Sequence, residues 1–81
     1  MVTVVFYNLL RSKYKINETV VQEGTIHEII AQIIKKHPSF SLSDFETCVV
    51  FKENKAIHYR QFDTKINDKE RIIMTHFVGG G

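Results

Sequence analysis

Residues 25–38 read TIHEIIAQIIKKHP, and no other stretch of the chain constrains its fold so tightly. Ile26, Ile29, Ile30, Ile33 and Ile34 stand at i, i+3, i+4, i+7 and i+8, one apolar stripe at helical period. Thr25 and Glu28 frame the start as a capping box. The Thr25 hydroxyl can accept from the Glu28 amide, and the Glu28 carboxylate can reach back to the Thr25 amide. Pro38 disfavours helical geometry at His37 and marks the end. His27, Glu28, Gln32 and Lys35 take the outer face. Burying five isoleucines contributes on the order of 10 kcal/mol by transfer arithmetic, an upper bound before entropy is subtracted. Because the β-branch lowers helix propensity, this helix depends on a surface to pack against.

The rest of the chain supplies strands for that surface. Val2 to about Leu9 reads as a first strand, with Val2, Val4 and Phe6 on one face and Thr3, Val5 and Tyr7 on the other. β-Branched and aromatic residues dominate both faces, as in a central strand covered at least in part on each side. Arg11-Ser12-Lys13 is a polar connection, a second strand follows between about Tyr14 and Val21, and Gly24 breaks it. Ser39 to Asp44 reads as a polar loop with Phe40 and Leu42 tucked beneath it. Glu46 to Lys52 is a strand, Glu53-Asn54-Lys55 a tight turn, and Ala56 to Arg60 a short strand. Asn67-Asp68 turns the chain into a last strand, Glu70 to His76, in which Ile72 and Met74 oppose Ile73 and Thr75.

The expected order is therefore β-β-α-β-β-β. One helix with a single apolar face needs one sheet to cover, which makes a two-layer α+β domain. A hairpin, a helix crossing it and further strands is the plan of the β-grasp fold of ubiquitin, with a mixed sheet of about five strands under one main helix. Residues 1–77 are expected to form this domain and residues 78–81 a flexible glycine tail.

Composition limits what such a domain does. Its 81 residues are 43 % apolar, with six Phe and three Tyr, enough for a normal core. A chain this small buries only roughly 60 % of its unfolded surface, so that core must be used efficiently. The net charge is +2, and the one basic cluster, Lys35-Lys36-His37, complements a helix C-terminus, which argues against a nucleic-acid partner. No apolar run reaches membrane-spanning length. The apolar start lacks the basic flank and cleavage site of a signal peptide. A lone cysteine, Cys48, cannot form an internal disulfide and fits a reducing compartment, so a cytoplasmic location is expected.

A catalytic constellation is not found. His27, His37, His58 and His76 fall at no metal-ligand spacing and read as surface imidazoles. Cys48 lies in an apolar strand and reads as a buried small hydrophobe, not a nucleophile. Asp44, Glu46, Asp68 and Glu70 read as solvated charges. There is no P-loop and no dinucleotide fingerprint. The domain is expected to be no enzyme and to bind no cofactor of its own.

The unusual feature is the ending, Val78-Gly79-Gly80-Gly81. Glycines add nothing to a core. A terminal carboxyl has a pKa near about 3.5 and is inert as an acylating group until its oxygen is replaced by a leaving group. Four extended residues reach roughly 13–14 Å, enough to cross the wall of a small active site, and the missing Cβ atoms permit close backbone approach.

With these pieces in place, the sequence resembles the ubiquitin-like sulfur carriers of the MoaD/ThiS type, most of all the small subunit of molybdopterin synthase. VVFYNLLRS is similar to that family's opening strand, TIHEIIAQIIKKHPSF to its helix, and FDTKINDKERIIMTHFVGGG to its final turn, last strand and Gly-Gly ending. The resemblance implies a sequence of partners. An E1-like adenylyltransferase uses ATP and Mg²⁺ to adenylate the carboxylate of Gly81. A sulfur donor then displaces AMP to leave a thiocarboxylate, and a sulfur-acceptor enzyme takes the sulfur. That acceptor is the molybdopterin synthase large subunit, in molybdenum cofactor biosynthesis, or a thiazole synthase in thiamine biosynthesis. It further implies that Phe77, Val78, Gly79 and Gly80 enter the partners, and that Tyr7 and Tyr59 lie on an exposed sheet face used for docking. Conjugation through Gly81, as by a ubiquitin-like modifier, is the other reading. Two departures stand out: Lys69 where the family commonly has glycine in the turn, and His76-Phe77 where molybdopterin carriers usually show Pro-Pro.

Overall fold

The computed structural model describes residues 1–7 and 15–76. Leu9, the connection Arg11-Ser12-Lys13, Tyr14, and Phe77 to Gly81 lie outside the described residues. The elements are β1 (Val2–Phe6), β2 (Glu18–Val21), β3 (Gly24–Thr25), α1 (Ile26–Lys36), α2 (Leu42–Glu46), β4 (Cys48–Lys52), β5 (Lys55–Ile57), a 3-10 turn at Tyr59–Gln61, β6 (Lys65–Ile66) and β7 (Arg71–His76).

Helix α1 is built as its sequence dictates. Glu28 N donates to Thr25 Oγ1 at 3.2 Å, and Thr25 N donates to Glu28 Oε1 at 2.9 Å, so both arms of the capping box are made. These bonds hold the Glu28 carboxyl below its usual range. Gly24 precedes the box with φ +156°, and a Cβ there would meet Glu28 Oε1 at 2.9 Å, so the position favours glycine on both counts. Ile26, Ile29, Ile30 and Ile33 are buried, while Ile34 at the rim of the stripe is partly covered. The helix ends at Lys36 with His37 as C-cap, just ahead of Pro38.

Beneath α1 lies a five-stranded sheet in the order β2-β1-β7-β4-β5. The first and last strands pair in parallel, Val4 beside Ile72 and Phe6 beside Met74. All the other pairings in this sheet are antiparallel. Residues alternate between faces. Val2, Val4, Phe6, Val50, Ile72 and Met74 are fully buried in one cluster with the α1 isoleucines. This is the ubiquitin-like β-grasp arrangement expected from the element order. Among the described residues no helix is long and apolar enough to cross a membrane.

Several local expectations are corrected. Strand β1 is described to Phe6, and β2 begins at Glu18. Gly24 does not simply interrupt a strand: with Thr25 it forms β3, paired antiparallel with β6, a two-residue strand not anticipated. The supposed loop at 39–44 contains the start of α2, because Asp44 Oδ2 accepts from Ser41 N at 2.8 Å and fixes the first turn. Phe40 is buried as expected, stacked on Phe6 at 5.3 Å, but Leu42 is exposed and Phe45 fills the core instead. After the Glu53-Asn54 turn, β5 stops at Ile57, and residues 59–61 form the 3-10 turn where a strand was expected.

Three of the carboxylates read as solvated charges have structural partners. The Met1 amino group is ion-paired with Asp68. Glu70 accepts from Asn67 N at 2.6 Å and pairs with Lys52 at 2.9 Å. Asp44 caps α2. Lys69 takes φ +70°, so the turn keeps the left-handed residue that glycine commonly supplies, at a cost of about 1 kcal/mol.

Truncating Ile30 to alanine empties part of the buried stripe and is expected to cost about 2–5 kcal/mol in a denaturant melt. An acid series gives a second check. Glu28, Asp68 and Glu70 all have carboxyls lowered by their hydrogen bonds and ion pairs, so they are deprotonated more readily in the folded state than in the unfolded chain. Their contribution is present above the ordinary glutamate value of 4.5 and is lost as pH falls through the lowered folded values. Stability is therefore expected to drop below that pH, and Glu70→Gln to flatten part of the drop.

Candidate functional site

The last described strand is the middle strand of the sheet. β7 lies between β1 and β4 and is described to His76, two residues before the predicted tail of residues 78–81. Of the predicted site residues, Phe77, Val78, Gly79, Gly80 and Gly81 lie outside the described residues, so the base of the tail is what the structure presents.

That base is held on several sides. His76 lies opposite Cys48 of β4. Its Nε2 donates to the Asp44 carbonyl oxygen at 2.5 Å, tying the end of β7 to α2. A carbonyl only accepts, so Nε2 carries the proton; Nδ1 is buried with no hydrogen-bond partner among the described residues. Tyr7 N donates to Met74 O at 3.0 Å, which carries the parallel pairing one residue past Phe6. His76 was read as a surface imidazole, as was His37, yet both are half-buried and hydrogen-bonded, His37 Nε2 lying 3.1 Å from Thr19 Oγ1. His27 and His58 are exposed, as expected.

On the sheet face turned away from α1, Val5 is paired with Ile73, and Ile73 with Phe51. Val5, Val49 and Thr75 are buried on this side, and Ile73 and Phe51 are half-buried. A shallow depression there is lined by Tyr7, Phe51, Glu53, Asn54, Arg71 and Ile73. Tyr7 is 44 % exposed at the C-terminal end of β1, the same end of the sheet as the C-terminal end of the parallel strand β7. Tyr59 is elsewhere. It sits on the 3-10 turn, edge-on to His27 of α1 at 5.7 Å and to Phe62 at 5.4 Å. The main-chain bonds His27 N to Phe62 O and Ile26 N to Thr64 O hold that segment against the start of the helix. The two tyrosines therefore do not share one surface, and only Tyr7 lies on the open sheet face.

Cys48 is buried, and burial pushes its thiol up to about 12, so it is protonated and unreactive at neutral pH. The described residues contain no group of three or more His, Cys, Asp and Glu side chains arranged to hold a metal ion. Sequence reasoning missed the His76 to Asp44 link. Its signal was the Ser41-Leu42-Ser43-Asp44 pattern, a helix start that places the Asp44 carbonyl within reach of β7.

No protein-family model matches the chain, and no curated protein matches it by sequence. Among solved structures it is similar to SAMP1 from Haloferax volcanii, with a TM-score of 0.73 over 99 % of this chain and 98 % of that one, at 12 % identity. At that identity the likeness shows the fold, a ubiquitin-like β-grasp.

Replacing His76 by alanine removes the α2 anchor and is expected to cost on the order of 1 kcal/mol, read from the urea midpoint.

Proposed function

We propose that this protein is a sulfur carrier: a co-substrate, not an enzyme, whose reactive group is the carboxylate of Gly81. The observation that carries the reading is the position of β7. A strand hydrogen-bonded on both sides ends at His76, and a glycine run follows it in sequence, so the folded body serves as a rigid handle for a narrow extended end.

The chemistry follows from the inertness of a carboxylate. In the partner's site, a Gly81 oxygen attacks the α-phosphorus of ATP and pyrophosphate leaves, with Mg²⁺ bound by that enzyme. A sulfur nucleophile then adds to the acyl carbon of Gly81, the bond to AMP breaks, and a thiocarboxylate remains once any sulfur–sulfur bond to the donor has been reduced. Gly79 and Gly80 let the backbone pass through a slot with no room for side chains. Val78 and Phe77 mark its mouth, and Tyr7 with the open sheet face meets the partner. Tyr59, on the helix side, is not part of that face. The activating partner in this reading is an E1-like adenylyltransferase. The acceptor is the large subunit of molybdopterin synthase, with thiazole synthase as the alternative in thiamine biosynthesis, and the setting is cytoplasmic.

The modifier reading shares each of these residues and the adenylation step. It differs only in the final nucleophile, a lysine amine that yields an isopeptide. The β-grasp fold, common to this chain and SAMP1, suits both.

Intact-mass measurement of the protein recovered from cells growing without an external supply of molybdenum cofactor or thiamine separates them. A carrier is expected to end at Gly81 and to show a fraction heavier by the difference between sulfur and oxygen. A modifier gives high-mass adducts instead. Deleting Gly81 is expected to abolish either product while leaving the melting temperature unchanged; a large stability loss would overturn the handle reading.

A further inference from the structure

The outer edge of β2 is not open. Within β2, Thr19 and Val21 face β1, since Val4 pairs with Thr19 and Val2 with Val21, in phase with the bond from Phe6 N to Asn17 O. Glu18, Val20 and Gln22 therefore turn their backbone groups outward, where a bare edge would offer them to another strand. Side chains from α1 reach that edge first. The Gln32 carboxamide bonds Gln22 at both ends, Gln22 N to Oε1 at 2.8 Å and Nε2 to Gln22 O at 3.0 Å. This reproduces the double bond of a paired strand residue. Lys36 Nζ donates to Val20 O at 3.0 Å.

We infer that β2 is a latent pairing edge for a second copy of this chain, kept closed by Gln32 and Lys36. Two copies related by a two-fold axis at Val20 would set Val20 against Val20 and Glu18 against Gln22. Along the strands that register sets no like charges opposite one another, and it joins the two Val20 side chains, each 40 % exposed, on the open sheet face. The two Lys36 ammonium groups at the axis add repulsion to the block. Each of these pairs would exchange two backbone bonds. The Val20 pair needs Val20 O as acceptor in both directions, and each Glu18 to Gln22 pair needs Gln22 N as donor and Gln22 O as acceptor. Every bond of the new ladder thus uses a group that Gln32 or Lys36 already holds. The three contacts made within each copy suffice to block the whole interface, although Gln22 and Lys36 are solvent-exposed and Gln32 is only half-buried.

The test is sedimentation velocity over a matched concentration range, using the full chain and two variants. Gln32→Ala/Lys36→Ala keeps strong helix formers in α1 and should retain the far-UV spectrum and the helix. It is expected to self-associate at least about tenfold more tightly than the parent. Adding Val20→Pro removes an outward N–H without breaking a bond to β1 and should return the protein to a monomer. Gln32→Ala alone, with alanine the best helix former, should move in the same direction. A double variant that stays monomeric across the range overturns the inference, as does a dimer that survives Val20→Pro, since that association would use another surface.

Discussion

The contact between the isoleucine face of α1 and the sheet beneath it is the condition for everything else in this domain. Isoleucine is an indifferent helix former, and eleven residues make too short a helix to persist alone in water. Conversely, a twisted sheet with Val2, Val4, Phe6, Ile72 and Met74 on one face is not soluble with that face bare. Each layer is the solvent shield of the other. The capping box at Thr25 and Glu28 and the glycine before it set the register in which the isoleucines meet the strands.

How much of this was legible in the sequence varied with the range of the forces involved. Helix α1 was readable to its caps, because a stripe at helical period, a capping box and a proline all act locally. β7 was readable in the alternation of Ile72 and Met74 against Ile73 and Thr75, and β4 in the apolar run Cys48 to Phe51. What escaped were elements whose existence depends on partners far along the chain. β3 and β6 are two residues each and exist only by pairing with one another. The 3-10 turn at 59–61 carries residues that would suit a strand, yet the chain is drawn instead toward the helix start by the bonds from Ile26 and His27. The family resemblance implied Tyr59 on the open face, and the same segment holds it beside the helix start instead. In the site, Tyr7 was placed by its alternation with Phe6, whereas the anchoring of His76 required knowing that α2 crosses beside the end of β7.

The functional reading gains its physical sense from the division between body and end. The body buries its only thiol, Cys48, in the core. It supplies a firm exit point: a strand bonded to neighbours on both sides, with its last imidazole tied to a carbonyl of α2. The second sheet face, with Tyr7 at the same end, is free of α1, and under that reading it is the face offered to a partner.

The parallel union of β1 with β7 has a consequence for how the protein comes into being. The strand at the centre of the sheet is the last to be synthesised, so the two halves of the sheet, β2-β1 and β4-β5, have nothing to join them until it emerges. A polypeptide truncated before Arg71 would lack β7, leaving β1 and β4 with bare inner edges and the isoleucines of α1 with half a floor. Such fragments invite proteolysis, and the pool of native molecules is thereby limited to chains translated through β7.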